Sequence, residues 1–300
     1  MKSASTPGSR LRRALSGAAL LATALVVAAL PGTSQGEPKK KPAPLAGATY
    51  DYEYDGKDIG HPERAWLGRA YVHPKAAADP EKPLPILVFI HGLNTELIRY
   101  RWMGGGNEGD VRRIVGDLID RGDLPPVIVA APSTIMPAAA TVARTSWPAF
   151  DLDNFLALTA QKLKGVATID PQRVIVAGHS GGGCNAKGGL ATAVHARAPV
   201  RAALAIDTCM EPDFAVELAR ARPTTHVIVS WQTLSWSKRP ISRFKSRFTS
   251  ELASAAAPGP GILRELDETR PTEPSPHDAM VGLTLKKWLP KLVGGGAAAP

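Results

Sequence analysis

Short runs of branched apolar residues alternate along this chain with stretches patterned like helices, and that alternation restricts the fold more than any other feature of the sequence. The runs PILVFI (85–90), PVIVAA (126–131), RVIVAG (173–178), AALAI (202–206), HVIVS (226–230) and ILREL (262–266) are nearly unbroken, as expected of strands buried on both faces of a parallel sheet. Residues 108–122, 152–166, 183–197, 212–222, 242–256 and 278–293 read as the helices between and after them. Ahead of the first run, TYDYEY and AWLGRAYVH alternate apolar with polar residues like the strands of a hairpin. The expectation is an α/β fold: a mostly parallel sheet of about eight strands, an N-terminal antiparallel hairpin, and helices on both faces.

The two ends do not share this pattern. Arg10, Arg12 and Arg13 precede the apolar stretch 15–30, and small residues with a PGTSQG break follow it. That order is the order of an export signal, and the stretch is shorter than the ~20 residues of a spanning helix. The chain therefore divides into an export signal at 1–36, a Pro/Lys-rich linker at 37–48, one folded domain at 49–294 and a tail at 295–300. An exported location, periplasmic or extracellular, is expected, with no stable membrane insertion after cleavage.

Charge helps mainly by what it excludes. The formal net charge of +9 includes Lys2, Arg10, Arg12 and Arg13, and without residues 1–36 it is +5. Lys39, Lys40 and Lys41 lie in the linker, so the folded part is only mildly basic and no nucleic-acid partner is indicated. A monomer is expected. Two cysteines, Cys184 and Cys209, in an exported chain suggest one disulfide.

The strand RVIVAG leads straight into Gly178-His179-Ser180-Gly181-Gly182, a G-x-S-x-G pattern between a strand and a predicted helix. A serine at the tip of so sharp a turn has its hydroxyl lifted clear of the sheet, provided its neighbours lack Cβ atoms. A hydroxyl needs a base, and His277, after the last strand and before the terminal helix, falls at the same sheet edge. Leu218 to Ser250 contains no Asp or Glu, so the acid is sought one strand earlier at Asp207, with Glu211, Asp213 and Asp267 as alternatives. The N–H groups of Gly181 and of Leu93, in FIHGLN, are the expected oxyanion donors.

FIHG, GHSGG and SPHD, in that order on those elements, resemble the α/β-hydrolase superfamily over nearly the whole mature chain. DPQRVIVAGHSGGG is similar to the esterase branch with dienelactone hydrolases, feruloyl esterases and polyester depolymerases. The resemblance implies that carboxylic esters are cleaved through an acyl-enzyme by Ser180, His277 and Asp207, on a small-molecule or polymeric ester. The acid departs from that pattern: it usually follows the seventh strand. No metal or organic cofactor is expected.

Other readings compete. The same serine chemistry acts on amides in amidases and peptidases. A hydrolase-shaped binding protein would keep the fold without turnover. Gly181-x-Gly183-x-x-Ala186 after a strand also fits a dinucleotide fingerprint, with Asp207 ending the next strand. Two long connections, 132–151 and 231–244, carry Trp147, Trp231 and Trp236, and these with His91 and Trp102 are the candidate walls of a substrate cleft.

Overall fold

The computed structural model describes residues 44–54, 66–134, 141–148, 150–236 and 241–294. The expected export signal, most of the linker and the tail at 295–300 lie outside the described residues. Among the described residues, no helix is long and apolar enough to cross a membrane.

Eight strands form one sheet in the order β1-β2-β4-β3-β5-β6-β7-β8. They are β1 (Ala48–Tyr54), β2 (Trp66–Val72), β3 (Pro83–Ile90), β4 (Ile128–Ser133), β5 (Thr168–His179), β6 (Val200–Ile206), β7 (His226–Gln232) and β8 (Arg264–Thr269). β2 pairs antiparallel with both β1 and β4, and all later pairings are parallel. The carboxyl ends of β3 to β8 consequently share one edge.

Side-chain alternation along each strand divides the core in two. Ile86, Val88 and Ile90 of β3, with Val174 and Val176 of β5, face a cluster containing Phe155, Phe214, Phe244 and Phe248. Those rings belong to α2 (Leu152–Lys162), α3 (Pro212–Ala219) and α4 (Ile241–Ser254), which follow α1 (Val111–Arg121) in the chain. Leu87, Phe89, Ile175 and Ala177 point the other way, towards Val115 of α1 and Val281 and Leu285 of α5 (Pro276–Val293). Each such fully buried Phe or Leu contributes ~1.5–3 kcal/mol. Local signals agree with the packing: Asp110 caps α1 by accepting the Arg112 N–H, and Gly122 ends it with φ 79°.

One predicted helix is missing. The stretch 183–197 forms only a 3₁₀ turn at Ser180–Gly183 and a single helical turn at Leu190–Ala193. Tertiary bonds override its alanine-rich propensity. Gly189 has φ 52°, its N–H donates to the Trp147 carbonyl at 3.0 Å, and Gly188 bridges to Pro148.

Candidate active site

Ser180 stands directly after β5, the strand between β3 and β6. Its φ is 51°, a left-handed conformation that costs a non-glycine residue about 1–2 kcal/mol. The turn closes only because its neighbours are bare. A Cβ on Gly92 would come within 2.7 Å of the Ser180 Cβ, and one on Gly182 would meet the Ile90 carbonyl oxygen. Leu97, Tyr100, Trp102, Trp147 and Asp207 share positive φ with Ser180, in segments following β3, β4 and β6.

Asp207 follows β6 and is wholly buried. His277 is the second residue of α5, whose first residue is proline. Its Nδ1–H donates to Asp207 Oδ2 at 2.6 Å. A carboxylate only accepts, so Nδ1 carries the proton and the neutral ring keeps its lone pair on Nε2. Ser180, His277 and Asp207 all line a cleft of about 890 Å³. No hydrogen bond joins the Ser180 hydroxyl to His277 among the described residues; in ligand-free sites such bonds are often long and tighten on substrate binding.

No hydrogen bond to His277 is made by the other candidate acids among the described residues. Asp267, on β8, accepts from Lys287 Nζ at 2.6 Å and Trp288 Nε1 at 2.7 Å. Glu211 borders the cleft just before α3, and Asp213 lies in that helix's first turn.

Leu93 reaches Gly181 closely: a Cβ on Gly181 would sit 2.8 Å from the Leu93 nitrogen. The Leu93 N–H has no described hydrogen-bond partner. Gly181 lies in the opening of the 3₁₀ turn, where N–H groups have no partner within the turn. Two donors are thus available beside Ser180. Since the turn does not continue as a long helix, a helix dipole adds little here, and the individual N–H groups carry the positive charge.

Three supports were not legible in the sequence. Gln232, buried at the end of β7, donates Nε2–H to Asp207 Oδ2 at 3.1 Å and its backbone N–H to Oδ1 at 3.3 Å. Ser146 donates its hydroxyl to the Gly181 carbonyl at 2.6 Å. His179 is buried, with its ring 4.6 Å from the His277 ring and its Nε2–H donating to the His277 carbonyl at 3.2 Å. Burial, followed by the proximity of His277, holds the His179 pKa well below the usual histidine range, so it is a neutral platform under His277. A neighbouring histidine on the turn was the available signal.

The expected aromatic walls are corrected in part. Trp147 and His91 are 0% exposed and Trp231 2%, so they form core, whereas Trp102, also 2% exposed, borders a small pocket with Ser180 and His277. The Trp147 indole N–H donates to the His91 carbonyl at 2.9 Å, and His91 Nδ1–H donates to the Gly92 carbonyl at 2.7 Å. These two brace the Leu93 loop from behind. Trp102 packs edge-on against His179. The Trp236 side chain lies outside the described residues. Leu93, Met210, Pro212 and Ile241 supply the apolar lining instead.

Cys184 and Cys209 form the expected disulfide, which ties the turn after Ser180 to the segment after Asp207. The dinucleotide reading loses its physical basis, because the fingerprint requires a helix N-terminus where this chain has a 3₁₀ turn and a loop.

No protein-family model matches the chain, and no curated protein matches it significantly. Solved structures do match. A ferulic acid esterase shares 15% identity at TM-score 0.59, over 84% of this chain and 99% of the other. A thermostable esterase shares 17% at 0.54, over 81% and 62%. An S-formylglutathione hydrolase from Agrobacterium tumefaciens shares 14% at 0.52, over 85% and 99%. The chain has the α/β-hydrolase fold. Within that α/β-hydrolase frame, Gln232 occupies the end of the seventh strand and Asp207 the end of the sixth.

Proposed function

We propose that this protein hydrolyses carboxylic esters through an acyl-enzyme on Ser180. His277 Nε2 takes the hydroxyl proton as Oγ attacks the carbonyl carbon, and the Gly181 and Leu93 N–H groups receive the oxyanion. The tetrahedral intermediate collapses, the alcohol leaves with the proton from His277, and water repeats the sequence to release the acid. Asp207 keeps Nδ1 protonated and stabilises the imidazolium.

The observation that carries this reading is the 2.6 Å contact from His277 Nδ1 to a buried Asp207, with the left-handed Ser180 in the same cleft. Export is supported by the cysteine pair, since disulfides persist in oxidising compartments. A fluorophosphonate probe tests the chemistry: labelling should map to Ser180 and vanish in Ser180→Ala and His277→Ala. Labelling that persists in Ser180→Ala refutes the assignment. A panel of p-nitrophenyl esters and matched anilides separates ester from amide cleavage.

A further inference from the structure

Two arginines line the cleft. Arg144, in the 3₁₀ turn Ala143–Thr145, and Arg243, at the third position of α4, line it together with Ser180 and His277. They come from separate segments. Neither guanidinium makes a hydrogen bond or ion pair with a described residue.

This sets them apart from most other described arginines. Arg69 is held by Asp51, Arg101 by Glu108, Arg112 by Asp110, Arg173 by Asp170 and Arg197 by Asp153. Outside the cleft, Arg270 is the one described arginine similarly without a partner. Among the described residues, two of the three arginines without a partner thus line this cleft, both of them exposed.

Opposing charge in the cleft is small. Asp207 is taken up by His277 and Gln232, which leaves Glu211 as the unpaired carboxylate of the lining. Two arginines and this one carboxylate share the lining with apolar Leu93, Met210, Pro212 and Ile241. Guanidinium matches carboxylate and related oxyanions in shape as well as charge.

We propose that the ester accepted at this site carries a second group that is anionic, a carboxylate above all, held by Arg144 and Arg243 and taking no part in bond cleavage. The inference rests on Ser180 being the nucleophile of an ester hydrolase. It adds the charge class of the substrate.

Two matched pairs test it, each rate being divided by the same ester's alkaline hydrolysis rate. p-Nitrophenyl hydrogen adipate against p-nitrophenyl hexanoate puts the anion on the acyl side. 4-Acetoxybenzoate against 4-methylphenyl acetate puts it on the alcohol side. In at least one pair the anionic member should show kcat/KM about tenfold higher at low ionic strength, mostly through KM, and the advantage should shrink at 0.5 M salt. Arg144→Gln and Arg243→Gln should each reduce that ratio about threefold, Arg243→Glu should reduce it further, and Glu211→Gln should raise it. Neutral esters cleaved with no anionic preference in either pair would overturn this inference and leave the hydrolase standing. No turnover of any of the four, with no fluorophosphonate labelling of Ser180, would remove both.

Discussion

The side-chain amide of Gln232 is locked onto Asp207. Its Oε1 accepts the Leu234 N–H at 2.7 Å, which aims Nε2 at the carboxylate 3.1 Å away. Hydrogen bonds to a charged group are worth about 1.5–3 kcal/mol. Gln232→Met keeps the bulk and removes the donor, so kcat should fall about ten- to a hundredfold with KM little changed. Gln232→Glu should instead raise the pH at which the acid limb of kcat falls, because a second carboxylate beside the first favours the imidazolium. Wild-type kcat and pH profile in both variants would reduce Gln232 to ordinary core.

The Cys184–Cys209 bond spans a sequence separation of 25. In the chain-entropy account, closing such a loop is worth about 3 kcal/mol. The double variant Cys184→Ser/Cys209→Ser should lose about that much in urea unfolding. It should also lose kcat, since the segments bearing Ser180 and Asp207 are no longer tied. Dithiothreitol should reproduce both effects in the wild type and neither in the variant.

Acid should destabilise the fold through His91. Burial lowers its pKa to about 4, and its Nε2 has no partner in the core. The unfolded chain takes up the proton near 6.5 and the folded chain only near 4, so this stability is complete above pH 6.5 and is lost as pH falls between those values. The loss by pH 4.5 should be about 2–3 kcal/mol. His91→Asn retains a donor for the Gly92 carbonyl and removes the titration; comparing urea unfolding at pH 7 and 4.5 should show a smaller drop in the variant. An equal drop in both proteins would refute this account.

Strain at Ser180 should be measurable as well. Ser180 holds φ 51°, which glycine adopts freely but alanine does not. Ser180→Gly should be about 0.5–1 kcal/mol more stable than Ser180→Ala, and neither should retain activity. Thermal unfolding of the two would show it, and equal stability would mean that the turn is relaxed.

The strands were legible because parallel strands buried on both faces read as continuous apolar runs, and 173–178 and 226–230 needed no tertiary information. Ser180, His277 and Asp207 were nameable as candidates, since each follows a strand at the shared edge. Trp147 misled for a physical reason: it lies in a long connection, yet its ring is completely buried and its indole N–H is bonded to the His91 carbonyl. The stretch 183–197 has an apolar pattern of helical period, but its glycines weaken it, and Gly188 and Gly189 are instead engaged with 147–148. Gln232 gave no signal because it does not titrate. The empty acidic stretch around it was the trace it left.

Leu97, Tyr100, Trp102, Trp147, Ser180 and Asp207 concentrate disfavoured backbone on one rim of the molecule, while the bulk of the packed rings lies behind it. Heat should therefore silence this protein before it melts it: the rim relaxes first, and the two layers of packed side chains beneath survive as a well-made object with nothing left to do.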